Sequence, residues 1–173
     1  MRRVQCVLLC EDRQHEAFVR RFLRGKLDIR DIRVLICPPG QQAAEQWVRM
    51  QYPREVRALR RNQVATSLVV MIDGDLYPIP RLQILERALS EESLSLRSAT
   101  EPIAIFVPKR NIETWIAYLN GQTVDEQTTY PKLQRQRDCR SAVDILKQMC
   151  EQNHLRQPCP PSLQEACEEY QKI

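Results

Sequence analysis

Residues 67–78, S-L-V-V-M-I-D-G-D-L-Y-P, decide the fold of this chain. They contain an uncharged apolar run, residues 68–72, that stops at two aspartates separated by one glycine. A run of this length, rich in β-branched residues and without polar alternation, predicts a strand that is buried on both faces. Asp73 and Asp75 follow the end of that strand, and ligands of open parallel α/β sheets bind at this edge.

The two aspartates carry the first chemical signal. Carboxylates at positions i and i+2 leave the strand on one side, so their repulsion must be relieved by protonation, by solvent or by a cation. A hard divalent ion such as Mg²⁺ suits oxygen ligands and relieves the repulsion most directly. The alternative is that Asp73, Gly74 and Asp75 only build a turn, as Asp and Gly commonly do.

Apolar and helical patterns alternate on both sides of this strand. Strands are predicted at residues 4–9, 32–37, 68–72 and 103–107, and helices at residues 12–24, 41–62, 80–89 and 111–119. The helix at 41–62 is expected to be interrupted near Tyr52 and Pro53, because a proline disfavours helix at the residue before it. This alternation predicts an α/β, Rossmann-like fold with a central parallel sheet, flanking helices and right-handed crossovers.

The domain organisation follows from a change of pattern after Gly121. Residues 1–121 are predicted to form the α/β core, and residues 122–173 a helical C-terminal extension. Within the extension, residues 124–136 are polar, and helices are predicted at residues 141–150 and 163–170. The extension either caps the sheet or carries a surface for a partner, and the sequence leaves both alternatives open.

Composition permits a nucleic-acid partner. The net charge is only +4, but 21 of the 26 basic residues are arginines. Arginine suits bidentate contacts with phosphate, although a G+C-rich genome produces the same bias. The predicted second helix carries a basic face that either follows a nucleic-acid backbone or is simply solvated; its members are Arg54, Arg57, Arg60 and Arg61.

The seven cysteines do not indicate a zinc site or a disulfide framework. Their number is odd, no C-x-x-C pair occurs, and no signal peptide is recognised. We therefore expect reduced thiols in a cytoplasmic protein. No apolar run approaches the roughly 20 residues that span a bilayer, so no membrane association is expected.

Four acidic residues are predicted at one edge of the sheet. Glu11 follows the first strand, Asp73 and Asp75 follow the third, and Glu113 comes shortly after the fourth. Parallel strands point their carboxyl ends the same way, so these side chains can converge into a metal site. Each acid also has a structural alternative: Glu11 and Glu113 fit the N-terminal turns of helices, where acids are favoured without any function.

Other polar residues near this edge are less specific. Lys109 and Arg110 follow the fourth strand and could clamp a phosphate or stabilise a phosphoryl transition state, or lie in an exposed turn. Trp115 is interpreted as a core residue. His15 and His154 have no partner at a characteristic spacing and are interpreted as incidental.

These motifs resemble those of the Toprim domain, found in topoisomerases, primases and the overcoming-lysogeny-defect nucleases. One strand ends in Glu11 and a later one in D-x-D at Asp73 and Asp75. Residues 105–119, I-F-V-P-K-R-N-I-E-T-W-I-A-Y-L, are similar to a segment of Toprim-like proteins that accompany ATPases in bacterial antiphage systems. The resemblance covers residues 4–120. In several Toprim relatives a glycine-containing turn follows the glutamate, whereas Glu11 is not followed by such a turn here.

The resemblance implies residue roles and a reaction. Glu11 would be a metal ligand or general acid/base, Asp73 and Asp75 ligands of Mg²⁺ or Mn²⁺, and Glu113 a ligand that completes a second metal position. The reaction would be hydrolysis of phosphodiester bonds in DNA or RNA, by in-line attack of a water activated by the metal or by Glu11. Lys109 or Arg110 would stabilise the developing charge.

Two other functions compete with the nuclease. A receiver-like signalling domain also has acids after its first and third strands, but no Lys-Pro pair follows a fifth strand here. A catalytically inactive Toprim-like protein could serve as the partner or sensor of an ATPase. The chain has no G-x-x-x-x-G-K-[ST] motif, so a nucleotide-driven step would need a separate ATPase. The oligomeric state is left open, a homo-oligomer included.

Overall fold

A four-stranded, all-parallel sheet forms the centre of the molecule. The computed structural model describes residues 4–40, 43–61 and 65–173. The strands are β1 (Cys6–Cys10), β2 (Ile32–Ile36), β3 (Ser67–Met71) and β4 (Ile103–Phe106). They are arranged in the order β2-β1-β3-β4. The predicted α/β fold with a central parallel sheet is confirmed, and the predicted strand ends agree to within two residues.

Helices cover both faces of the sheet. They are α1 (Arg13–Phe22), α2 (Ala44–Arg60), α3 (Arg81–Glu91), α4 (Ile112–Leu119), α5 (Arg140–Glu151) and α6 (Pro161–Tyr170). Side chains of α2 and α3 pack on one face, and side chains of α1, α4, α5 and α6 pack on the other. Strands buried on both faces need apolar side chains at every position, which explains the uninterrupted apolar run before Asp73.

The second helix is continuous, and the expected interruption near Tyr52 and Pro53 is wrong. Both residues lie inside α2 and are buried. Proline inside a helix costs about 3 kcal/mol, whereas burial of a large apolar side chain contributes about 1.5–3 kcal/mol. Packing of this part of α2 against the sheet therefore offsets the cost of Pro53. Residues 41, 42 and 62 of the predicted helix lie outside the described residues.

The C-terminal extension packs against the sheet. Buried side chains of α5 and α6 belong to the same core cluster as those of α1 and α4. Tyr170 stacks on Phe22 with 4.4 Å between the ring centroids. Glu169 accepts a hydrogen bond from the backbone N of Ile105 at 2.8 Å, so α6 satisfies part of the free edge of β4.

The expectation that all seven cysteines are reduced is wrong for one pair. Cys150 of α5 and Cys167 of α6 form a disulfide. They are 17 positions apart, and only the packing of the two helices brings their facing sides together. The remaining cysteines are free. Across the described ranges, no helix combines the length and apolarity needed to cross a bilayer.

Candidate active site at the carboxyl edge of the sheet

Strand order places Glu11 and Asp73 side by side. β1 lies between β2 and β3, so the chain leaves β1 toward one edge of the sheet and later returns to β3 on the other side. The crevice at such a switch point is where open α/β sheets bind their ligands. Glu11 directly follows β1, and Asp73 comes two residues after the end of β3. The fold therefore forms a crevice between these two acids.

Glu11 and Asp73 are in direct contact. The Oε1 atom of Glu11 accepts a hydrogen bond from the backbone N of Asp73 at 2.6 Å. Burial raises the pKa of the Glu11 carboxyl to about 7, against the opposing effects of the nearby His15 charge and of this hydrogen bond. Glu11 can therefore exchange a proton near neutral pH.

Gly74 allows the loop after β3 to approach the loop after β4. Its N donates to the carbonyl O of Pro108 at 2.7 Å, and the N of Asp75 donates to the carbonyl O of Arg110 at 2.9 Å. A Cβ atom on Gly74 would lie only 2.0 Å from the carbonyl O of Lys109. Asp75 and Leu76 then adopt positive φ values in a turn closed by a hydrogen bond from Tyr77 to Gly74. The glycine between the two aspartates is thus required by close backbone packing.

His15 belongs to the site, and its interpretation as incidental is wrong. It is fully buried, and its Nε2 atom lies 3.1 Å from Oδ1 of Asp73. Burial lowers the pKa of His15, but the hydrogen bond and the charge of Asp73 outweigh it and raise the pKa to about 9. Asp12 fixes the start of α1 by accepting from the N of His15 at 2.9 Å. The inward-facing spacing of residues 15, 18, 19 and 22 was the signal that could have identified this histidine.

Arg81 is the second residue that the sequence did not reveal. Its guanidinium group is buried at the start of α3 and donates to the carbonyl O of Asp73 at 3.0 Å. It also pairs with Asp75 and with Glu45, each at 3.2 Å. Asp75 therefore faces an arginine in this structure. An arginine in a proline-bounded loop offers no pattern that would predict this contact.

Glu113 contributes a further carboxylate from α4. It lies in the first turn of α4, half-buried, and burial together with the charge of Asp73 raises its pKa. Asn111 occupies the N-cap position, but its side chain makes no capping hydrogen bond, and its Oδ1 atom is buried without a partner. Among the described residues, no cation lies within ion-pair distance of Glu113. Asp73 thus lies within electrostatic reach of both Glu11 and Glu113.

Lys109 and Arg110 point toward the C-terminal extension. The Nζ atom of Lys109 lies 4.0 Å from Oε2 of Glu126, and Nη1 of Arg110 donates to the carbonyl O of Gln127 at 2.6 Å. The two predicted phosphate ligands are therefore engaged by the same short segment. Trp115 is fully buried, which confirms its interpretation as a core residue.

The site is suited to a weakly coordinated, hard cation. In the part of the chain that the structure describes, no three His, Cys, Asp or Glu side chains form a group that could hold a metal ion. Mg²⁺ does not require such a cage, because it commonly binds one or two carboxylates and keeps waters or phosphate oxygens as its other ligands. The residues that fit this mode are Glu11, Asp73 and Glu113. Burial, with a smaller contribution from the charge of Asp73, raises the pKa values of Glu11 and Glu113.

Comparisons of the chain with protein-family models, with curated proteins and with solved structures found no match. The α/β assignment therefore depends on the structure itself. The similarity to the Toprim domain stays a prediction that depends on the short motifs around Glu11, Asp73 and Glu113.

Proposed function

We propose that this protein is a Mg²⁺- or Mn²⁺-dependent nuclease that hydrolyses phosphodiester bonds. The observation that carries the proposal is the contact of Glu11 with Asp73 at the switch point of a parallel sheet, together with Glu113 within electrostatic reach of Asp73. Glu11 and Glu113 have raised pKa values, and the buried basic side chains of His15 and Arg81 both contact Asp73. Such a cluster favours a bound cation, and a phosphodiester brings the negative charge that the cation would neutralise.

Each residue has a separate task in this proposal. Glu11 accepts the proton of the attacking water, because a base with a pKa of about 7 is half-deprotonated at neutral pH. Asp73 and Glu113 would hold the metal ion, which would supply positive charge against the scissile phosphate. Arg81 and His15 hold Asp73 in place. Lys109 and Arg110 reach a phosphate only after they leave Glu126 and Gln127.

The test is cleavage of plasmid DNA and of total RNA by the purified protein with Mg²⁺ or Mn²⁺. We expect cleavage that a chelator abolishes and that Glu11→Gln and Asp73→Asn lower by at least about 100-fold, as loss of a catalytic acid/base typically does. Glu91→Gln is the matched control, because it removes an exposed carboxylate at the far end of α3. Equal activity in the wild type, Glu11→Gln and Asp73→Asn would contradict the proposal.

A non-catalytic binding protein is the second candidate. It is favoured by the ion pair between Asp75 and Arg81, which occupies one acid of the D-x-D motif, and by the lack of a three-ligand group among the described residues. The roles with a separate ATPase and in antiphage defence rest on the resemblance alone and belong to the proposal. A protein that stays inert with its ATPase partner present would favour this second candidate.

A further inference from the structure

Half of the basic face predicted on α2 is neutralised within the chain. Arg57 pairs with Glu92 at 3.1 Å, and Arg60 pairs with Glu101 at 2.7 Å. Glu92 directly follows α3, and Glu101 lies in the polar connection between α3 and β4. These two arginines are therefore poorly suited to bind phosphates, whereas the other two members of the face are exposed.

A different group of cations is exposed and unpaired. We name it the basic strip, and its members are Lys132, Arg135, Arg137 and Arg140. All four are exposed, and none of them lies within ion-pair distance of a carboxylate in the described part of the chain. The only acid between them is Asp138, whose Oδ2 atom accepts a hydrogen bond from the backbone N of Arg135 at 3.2 Å. The strip therefore presents four positive charges to solvent.

The basic strip is fixed beside the acidic site. Cys139 is fully buried and Leu133 packs against the core, so the segment is anchored near both ends. Nε2 of Gln14 donates to the carbonyl O of Gln136 at 3.2 Å, and Gln14 is the chain neighbour of His15. The positive charge of Lys132 also acts on the carboxyl of Glu113. These contacts place Lys132 and the backbone at Gln136 near the crevice at the end of the sheet.

We infer that the basic strip binds the phosphate backbone of a nucleic acid and guides it toward Glu11, Asp73 and Glu113. Three of its four members are arginines, which bind phosphate oxygens in a bidentate manner. An anchored segment that carries four cations against one acid, beside an acidic site, suits a polyanion that must reach a metal ion. The guiding role rests on the proposed function, whereas backbone binding by the strip can be measured without any cleavage.

The test measures binding of fluorescein-labelled single-stranded DNA, duplex DNA and single-stranded RNA in the presence of a chelator. All variants carry Asp73→Asn, so that no cleavage occurs. The strip variant combines Lys132→Gln, Arg135→Gln, Arg137→Gln and Arg140→Gln. The matched control removes the same charge from four exposed arginines in or directly after α1, α2 and α3, namely Arg24, Arg54, Arg61 and Arg87. Circular dichroism establishes that both variants fold.

We expect the strip variant to bind at least about tenfold more weakly than the control variant. The slope of its log affinity against log salt concentration should be less steep by up to about three to four. Equal losses in the two variants would overturn the inference, because binding would then follow net charge. Loss of binding to anionic lipid vesicles without loss of nucleic-acid binding would also overturn it.

The same variants separate this inference from the proposed function. A strip variant without Asp73→Asn that binds and cleaves like the wild type would contradict the inference and leave the nuclease intact. Binding that depends on the strip in a protein that cleaves neither DNA nor RNA would support the inference and contradict the nuclease.

Discussion

Asp73 is held through three of its four polar groups. Its N donates to Glu11, its carbonyl O accepts from Arg81, and its Oδ1 atom contacts His15. Among the described residues, the second carboxylate oxygen, Oδ2, has no partner. Partners that orient a metal ligand commonly change metal affinity by about 10–100-fold when they are removed. The arrangement therefore presents one oxygen of Asp73 to the crevice in a fixed direction.

The pKa values of Glu11 and His15 predict a stability that falls with rising pH. The pKa of Glu11 is raised from 4.5 to about 7, so its contribution is present below pH 4.5 and is lost as the pH rises through about 7. This shift corresponds to about 3 kcal/mol. The pKa of His15 is raised from 6.5 to about 9, so its contribution is present below pH 6.5 and is lost as the pH rises through about 9.

Urea denaturation with a chelator present, from pH 4.5 to pH 9, measures this effect. We expect Glu11→Gln to flatten the pH dependence between pH 4.5 and about 7, and His15→Gln to flatten it between pH 6.5 and about 9. Glu91→Gln should leave the wild-type profile unchanged. A wild-type free energy of unfolding that rises across pH 4.5–7 would show that Glu11 does not titrate as the structure implies, and a rise across pH 6.5–9 would show the same for His15.

At the scale of elements, the loop after β3 depends on Gly74. The Cβ atom of Gly74→Ala would overlap the carbonyl O of Lys109, and a backbone atom cannot move away without shifting the loop after β4. Such overpacking typically costs about 1–3 kcal/mol. We expect this loss in the free energy of unfolding, together with weaker Mn²⁺ binding measured by electron paramagnetic resonance. Gly40→Ala is the control for Mn²⁺ binding, because it is strained by the positive φ of Gly40 but its Cβ meets no atom within 4 Å. Unchanged stability and Mn²⁺ binding in Gly74→Ala would contradict this account.

Periodicity predicts elements well and side-chain directions poorly. The apolar runs that end before Glu11 and Asp73 located β1 and β3, because strands buried on both faces have few alternatives. The inward direction of His15 depends on where Asp12 starts α1, and the direction of Lys109 depends on a segment without periodicity, residues 124–128. The pairing of Cys150 with Cys167 depends on how two helices pack. Such contacts arise from tertiary structure, which the spacing of residues along the chain does not encode.

At the scale of the whole molecule, charge is distributed unevenly around the crevice. A cavity of about 760 Å³ lies between the loop after β3 and α6, and four glutamates contribute to its lining, namely Glu126, Glu165, Glu168 and Glu169. Burial and these neighbouring acids raise the pKa of Glu165. Arg81, Arg97 and Lys109 also line this cavity and neutralise part of that charge, so it attracts a polyanion less than the basic strip does. A nucleic acid is therefore expected to approach from the side of α1.

The packing of α6 against β4 predicts that the C-terminal extension unfolds together with the core. Glu169 accepts hydrogen bonds from the N of Ile105, from Arg97 at 2.6 and 3.0 Å and from Lys172 at 2.6 Å. Burial raises the pKa of Glu169, but these bonds outweigh burial and hold the pKa below its ordinary value. We expect Glu169→Gln to lower the free energy of unfolding by about 2 kcal/mol, because bonds to a charged group at a half-buried edge are lost.

Urea denaturation monitored by far-ultraviolet circular dichroism and by tryptophan fluorescence measures this loss. The fluorescence of Trp115 reports on the core, since this residue is fully buried on α4 and donates to Ser162 of α6 at 2.9 Å. Glu168→Gln, an exposed change in the same helix, is expected to stay within about 0.5 kcal/mol of the wild type. We expect both signals to follow the same transition, because α6 satisfies the edge of the sheet. Only Glu169→Gln should shift that transition. A separate early transition that Glu169→Gln leaves unchanged would mean that the extension folds independently of β4.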